Sequence, residues 1–314
     1  MTKFVLKRIV ALVPVVIGIS FIIFAIMDLT PGEPARLILG PYASQSDVET
    51  FNQTMGIEGN FWERYFEYMK GVISGDFGIS YRTQNDVLAE LAARIPCTLI
   101  LATGAAAIMV LIGIPVGIVS AIKQYSILDY CSMFMALLFT SIPGFWLGIM
   151  LMLLFSLQLG LLPATGVESW QSYILPCITL AAAFVASLIR ITRSSMLEVI
   201  RQDYIKTAYA KGASEKRVVL RHVLRNAMLP VVTVIGINFA IMMGGAIVTE
   251  SVFALPGVGT LLITSVRMKD IPVVMAVVMF VAVVIGIINL IVDLAYAYID
   301  PRIKTKYSAR KRGK

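Results

Sequence analysis

Long apolar runs separated by polar segments of unequal length dominate the chain. A helix that crosses the hydrocarbon layer needs about 20 mainly apolar residues, because no backbone amide there can be left unpaired. Six runs approach that length: Ile9–Met27, Thr98–Ile122, Met133–Phe155, Tyr173–Ile189, Leu229–Val248 and Pro272–Ala297. The pattern predicts an all-α polytopic membrane protein with six transmembrane helices. The first run follows Lys3, Lys7 and Arg8 as a secretory leader would, but it is long for a leader and lacks a small-residue cleavage site. It is therefore read as a retained span.

The polar segments carry a second pattern. Between the first two spans, residues 28–96 include "LTPGEPARLILG" and "FWERYFEYMKGVISGDFGISYR". Phe61, Tyr65, Tyr68 and Met69 recur at helical spacing, which predicts at least one amphipathic helix. Such a region is either a cap on the external mouth or a docking surface for an external partner. Within the spans, "GIPVG" at Gly113–Gly117 and "GFWLG" at Gly144–Gly148 place two glycines one turn apart, so that another helix can approach closely. Pro115 and Pro143 each remove a backbone donor.

Between Pro176 and Pro230 there is no proline, so the fourth span is expected to continue as helix beyond the membrane. Met196, Ile200, Tyr204 and Ala208 form one apolar stripe at four-residue spacing. Gly212 is expected to end that helix, glycine being the residue that most readily takes the left-handed cap conformation. Ser214 can cap a new helix, with Glu215 in its first turn, running to Asn226 or Ala227 and feeding the fifth span. The expected product is a helix, a glycine turn and a second helix. Small residues near the bend, Ala208, Ala210 and Gly212, suit a close docked contact. The alternative is a long loop packed on its own protein.

Composition agrees with a bilayer protein: 58% of residues are hydrophobic and 15% charged, and the mean hydropathy is +0.83. These values exclude an ordinary soluble domain. Lysine and arginine accumulate on the cytoplasmic side of short loops. They cluster in the N-terminus, at Lys123, at Arg193, Arg201, Lys206, Lys211, Lys216, Arg217, Arg221 and Arg225, and in the tail from Arg302 to Lys314. The alternate segments are poor in them. Both termini and the 193–228 stretch are therefore expected to face the cytoplasm. The net charge of +8 follows this topology rather than a stripe on a soluble fold, so no nucleic acid is expected as a partner. The tail "RIKTKYSARKRGK" reads as an anchor near anionic membrane lipid. Cys97, Cys131 and Cys177 read as buried thiols, not as a disulfide framework.

Catalytic signatures are missing from the sequence. There is no G-x-x-x-x-G-K-[ST] phosphate loop, no H-E-x-x-H and no G-x-S-x-G, and the single histidine, His222, lies on the basic helix. The chain is expected to be no enzyme and to bind no metal or cofactor itself. An ion-coupled carrier would need clustered polar ligands at mid-membrane, and the polar residues within spans are few: Asn238, Asn289 and Asp293. Asn238, the deepest, is the expected pore-facing residue. Asp293, near an inner helix end, can pair with a base there.

The stretch from Asp203 resembles the "EAA" loop of permease subunits of bacterial ATP-binding-cassette importers. Gly212 matches the family glycine and Ala208 the second alanine; Lys206 and Thr207 replace the glutamate and first alanine, and Leu229-Pro230 arrives later than in the general pattern. Those departures resemble the B-type permeases of dipeptide, oligopeptide and nickel importers. Further phrases occur in the order of that branch: "RIVALVPVVIGISFIIF", "TPGEP", "GDFGIS", "GIPVG", "LRNAMLPVVTVIG", "TESVFALPGVGTLL" and "NLIVDLAYAYIDPRI".

The resemblance implies a type I importer permease fold in the bacterial inner membrane, forming half of a translocation pathway for peptides, with nickel complexes or another small solute as alternatives. It implies three kinds of partner, beside the membrane lipid read from the tail: a C-type permease, two cytoplasmic ATPases that use ATP and magnesium, and an extracytoplasmic solute-binding protein. It assigns ATPase coupling to Asp203, Tyr204, Lys206, Thr207, Ala208, Lys211, Gly212, Ser214 and Glu215. In the external loop, Pro256, Gly257 and Gly259 are expected to break the helix as part of an outer gate. Glu250 and Asp270 are candidates for contact with the binding protein or solute, or else for a structural role such as capping or pairing with Arg267 or Lys269. The implied division is residues 1–27 as N-terminus and first helix, 28–96 as extracytoplasmic region, 97–299 as permease core with a coupling loop at about 193–228, and 300–314 as basic tail.

Overall fold

A computed structural model describes residues 2–299; the basic tail, 300–314, lies outside the described residues. In chain order the helices are α1 (Thr2–Leu29), α2 (Pro34–Leu39), α3 (Gln45–Thr54), α4 (Phe61–Ile73), α5 (Val87–Ile122), α6 (Ile127–Ser141), α7 (Gly144–Leu151), α8 (Ile174–Ile200), α9 (Asp203–Ala210), α10 (Glu215–Arg217), α11 (Leu224–Gly245), α12 (Ile247–Val252), α13 (Val258–Arg267) and α14 (Ile271–Ile299). Wider i→i+5 turns extend α7 over Met152–Gln158 and join α10 to α11 over Val218–Val223. Among the described residues the extended pairing is a single bridge, Ile79 to Asp86. Five helical stretches are long and apolar enough to cross a membrane, and a sixth span is completed if α6 and α7 are counted together.

That sixth span departs from the straight helix expected over Met133–Phe155. α6 and the helix beginning at Gly144 meet at a 100° bend. Pro143 offers no amide to continue the ladder, and a residue before proline is pushed toward extended geometry. Ile142 accordingly takes φ −79° and ψ 124°. A second correction concerns the fourth span. α8 ends at Ile200 rather than running to Gly212, because Gln202 is extended at ψ 145° and α9 starts afresh behind it. Asp203 in the first turn of α9 places a negative charge where the helix dipole favours one.

The described chain falls into two compact units. One comprises Met1–Leu99 with Ala254–Gly286. In it Val87 and Leu91 at the start of α5 pack with Val258 and Leu261 of α13 and Val273 and Val277 of α14. A second cluster joins Phe24 and Met27 of α1 to Tyr65 of α4 and to Ile271, Val274 and Met275. Two neighbouring residues of opposite charge tie down its loops. Asp270 is wholly buried and accepts hydrogen bonds from the Ser80 hydroxyl at 2.5 Å and from the amides of Tyr81 and Arg82 at 3.1 and 3.4 Å. Lys269 donates to the carbonyls of Thr30 and Gly32. Burial lowers the Lys269 ammonium's pKa, with the nearby Asp28 charge opposing the shift. Burial first and the Asp270 charge second push the Tyr81 phenol up to about 12.

The other unit comprises Ile100–Phe253 with the described residues from Ile287 onward. Its central contact is a close parallel approach of α5 and α8 made possible by glycine. A Cβ built on Gly104 would stand 2.6 Å from the Cys177 sulfur, one on Gly113 2.9 Å from the Leu188 Cβ, and one on Gly117 2.6 Å from the Thr192 Cβ and 2.9 Å from the Ile189 carbonyl oxygen. Without a hydrophobic driving force between helices in lipid, such backbone proximity is what dispersion and weak polar contacts require. Gly148 likewise fits against Phe253, Thr179 and Val252, whereas nothing lies within 4 Å of a Cβ on Gly144.

The α5–α8 contact yields a paired expectation. Gly117→Val forces backbone and a branched side chain apart and should destabilise the protein by about 1–3 kcal/mol, the usual range for overpacking. Gly144→Ala should leave stability unchanged. Thermal unfolding of the purified protein in one detergent distinguishes the two; equal midpoints would mean that the helices are not in contact at Gly117.

Candidate functional site

Between α8 and α11 the chain makes an elbow with two bends. The first is the extended Gln202. The second follows α9, where Gly212 takes φ +79°, left-handed backbone that glycine adopts without a Cβ penalty. The turn is closed by the Gly212 amide on the Tyr209 carbonyl at 2.9 Å and the Ala213 amide on the Ala208 carbonyl at 3.2 Å. Ser214 then occupies the position before α10 with extended backbone, and its carbonyl accepts the Val218 amide at 3.0 Å. Its hydroxyl makes no capping bond, so only its backbone fulfils the expected role. Glu215 opens α10.

The elbow is seated on an apolar floor. Ile205 is 1% exposed, and with Met196 of α8, Ala121 of α5, Val218, Val219, Val223 and Ala227 it forms one buried cluster. The expected stripe through Tyr204 is thereby corrected. Because the helix breaks at Gln202, its phase resets by one residue; Ile205 turns inward and Tyr204 stays exposed. From outside, Tyr204 braces the two arms, its hydroxyl accepting a hydrogen bond at 3.2 Å from the Asn226 amide, which also donates to the His222 carbonyl at 2.6 Å.

The other face of the elbow is open and basic. A cleft of about 730 Å³ is lined by Tyr204, Thr207, Ala208, Lys211, Gly212, Ala213, Arg217, Arg221 and His222. Beside it, the exposed Asp203 and Lys206 pair at 2.9 Å, and the Lys206 hydrogen bond lowers the carboxyl's pKa. Of the residues assigned to this element, Tyr204, Thr207, Ala208, Lys211 and Gly212 thus share one cleft. Asp203 and Lys206 stand at its side, and Ser214 and Glu215 lie just past the turn.

An ion pair that sequence reading missed holds the helices beneath. The Arg193 guanidinium of α8 meets the Asp129 carboxylate of α6 in bidentate fashion, Nε to Oδ1 at 2.6 Å and Nη2 to Oδ2 at 2.8 Å. The Ser120 hydroxyl of α5 and the Tyr125 amide donate to the same carboxylate, which is 2% exposed. The signal was present: Asp129 stands three residues after Ser126, which caps α6. Arg193 was visible only as one positive charge among many.

Other expected site residues fall differently. Pro256 lies in the turn before α13, Gly257 immediately precedes that helix, and Gly259 is in its first turn, so the break after the fifth span is present. Glu250 and Asp270 are each 0% exposed, which fits the structural alternative and not the contact with a binding protein or solute. Asp270 is consumed by Ser80 and two backbone amides, not by Arg267 or Lys269. Asn238 is corrected: it is 7% exposed, and its amide points at the Met109 sulfur at 3.5 Å instead of an open pathway. Among the described residues, no group of three or more His, Cys, Asp or Glu comes close enough to hold a metal ion.

Two family profiles match the chain. One, for the N-terminal part of binding-protein-dependent transport system membrane components, covers residues 1–102. The other, for the binding-protein-dependent transport system inner membrane component, covers residues 113–305. The glutathione transport system permease protein GsiC of Escherichia coli strain K12 is 42% identical over 306 residues, 98% of this chain and 100% of that one. The protein of the same name from Shigella dysenteriae serotype 1 has the same identity and coverage. Among solved structures, the MetNI methionine ABC transporter in inward-facing conformations matches with a TM-score of 0.55 at 17% identity, covering 68% of this chain and 97% of that one, a likeness of fold.

The buried ion pair generates a testable contrast. Asp129→Ala alone leaves the Arg193 guanidinium, whose side chain is 22% exposed, without its carboxylate and should cost about 1–3 kcal/mol of stability. Replacing both partners, Asp129→Leu with Arg193→Met, should recover most of that loss. Thermal unfolding of the single and double variants measures it; a single variant as stable as the parent would show that the pair is not formed.

Proposed function

We infer function from a plain premise: the chain belongs to the family of binding-protein-dependent transport system inner membrane components. It is a non-catalytic, multi-pass inner-membrane permease subunit of an ABC importer, working with ATPase and substrate-binding partners. From there we propose that it is the B-type half of a peptide importer. In this reading it pairs with a C-type permease to enclose the pathway, stands on two cytoplasmic ATPases that bind ATP and magnesium, and receives solute from an extracytoplasmic binding protein.

The cargo reading is carried by the full-length 42% identity to proteins named for glutathione, a tripeptide. Short peptides fit it best; nickel complexes and other small solutes are not favoured. The lysine and arginine distribution supports cytoplasmic termini and a cytoplasmic elbow.

For coupling, the elbow's geometry is the support. In this reading its open face, with Asp203, Tyr204, Lys206, Thr207, Ala208, Lys211, Gly212, Ser214 and Glu215, docks on an ATPase. When ATP draws the ATPases together, the elbow follows. Its apolar floor includes residues of α5 and α8, so displacement passes into those helices as near-rigid motion instead of being absorbed by a loop. The outer break at Pro256, Gly257 and Gly259 is proposed as the gate at the other mouth.

The importer assembled with its ATPases and binding protein in liposomes tests both parts. Gly212→Val, which strains a left-handed position, and Ala208→Glu, which crowds the cleft, should abolish uptake of labelled glutathione or dipeptides while ATP hydrolysis persists. Normal uptake by both variants would remove the coupling assignment. Separately, mass spectrometry of solute retained by the purified binding protein should find short peptides; a non-peptide ligand alone would overturn the cargo reading.

A further inference from the structure

α4 carries more apolar surface than its protein contacts use. At 100° per residue, Phe61, Tyr65 and Tyr68 occupy one arc of the helix, and Trp62, Phe66 and Ile73 lie together on the adjoining arc within about 40° of one another. The first arc is occupied. The Tyr65 hydroxyl lies 3.0 Å from the Ser20 hydroxyl, and the Tyr65 ring is edge-on to Phe21. The second arc is largely open: Trp62 is 52% exposed, Phe66 63% and Ile73 84%. Glu63, Glu67 and Lys70 take the remaining face, and Arg64 pairs with Asp28 near the far end of α1.

Depth decides what meets the second arc. The Trp62 ring stacks on Phe21 with centroids 5.7 Å apart and 20° between the planes. Phe21 lies inside the apolar span Val5–Leu29, eight residues before its end, about 12 Å along the axis at 1.5 Å per residue. Beside it on α1, Ile17 and Ile22 are themselves exposed, on a span only 11% buried in this chain. The exposed arc of α4 therefore continues the lipid-facing surface of a transmembrane helix at a depth where acyl chains begin. Glu63 and Glu67 lie farther round the helix, Lys70 borders the arc beside Phe66, and Arg64 is held by Asp28 at the membrane-surface end.

We propose that α4 is an interfacial helix lying in the leaflet at the Leu29 end of α1, with Trp62, Phe66 and Ile73 inserted among phospholipid acyl chains. On the orientation given above, this is the outer leaflet. The arrangement is that of an in-plane amphipathic helix, whose apolar side sinks about 5–10 Å into the headgroup and acyl boundary. It fixes the entry to the extracytoplasmic region against the bilayer instead of leaving that region free above it.

Spin labelling of the assembled importer in liposomes, with its native cysteines replaced, tests this. Nitroxides at Phe66→Cys and Ile73→Cys should collide several-fold more with oxygen than with an aqueous nickel chelate, relative to Glu63→Cys and Glu67→Cys on the polar arc. Equal nickel access at residues 66 and 67 overturns the proposal, as does exclusion of both reagents at 66 and 73, which would mean that a protein partner covers the arc. In the unmodified importer, a diazirine on a phospholipid acyl chain should cross-link within Phe61–Ile73. Labelling of α1 without labelling of that segment would equally overturn it.

Discussion

Burial of Ile205 converts a charged connection into part of the protein body. Its side chain is almost wholly withdrawn from water between the end of α8, the end of α5 and the first turns leading into α11. Burying one such aliphatic group contributes about 1.5–3 kcal/mol. The surrounding valines and alanines add to this a surface on which the elbow has one seat. Were the stretch solvated on all sides, a push on its open cleft would dissipate in loop motion.

Stiffness beneath the seat comes from two further contacts of unlike kind. Glycines of α5 let it approach α8 until the Cys177 and Leu188 side chains, and at Gly117 the Ile189 carbonyl, fill the place of a Cβ, a contact that resists sliding. The Asp129 carboxylate, saturated by Arg193, Ser120 and the Tyr125 amide, ties α6 to the same pair. A charge so buried keeps its partner, because separation leaves both uncompensated. The backbone leaves the helical path at a few points, the extended Gln202, the left-handed Gly212 and the bend at Pro143.

Much of this was legible in the residues. The apolar runs located the spans because hydrocarbon admits no unpaired backbone, and Gly212 announced its turn because few residues take positive φ cheaply. The bend between α6 and α7 was half-legible: Pro143 marked the missing donor, but run length alone does not register direction. The break at Gln202 left no such mark, since glutamine forms helix readily and only tertiary packing of Ile205 selects the new phase. Asn238 was misplaced, and Asp270 left between two roles, for a related reason. A polar residue near a membrane reads as functional until its partner is known, and those partners, Met109 and Ser80, are more than a hundred residues away in sequence.

The account rests on the elbow moving with the inner ends of α5 and α8 as one body. Its most direct measurement is the distance between spin labels at Lys123, just past α5, and Tyr209, half-exposed on α9, in the assembled importer without nucleotide and with ATP trapped. The account predicts the same mean distance and width in both states. A shift of several ångströms in an importer that still transports would contradict it.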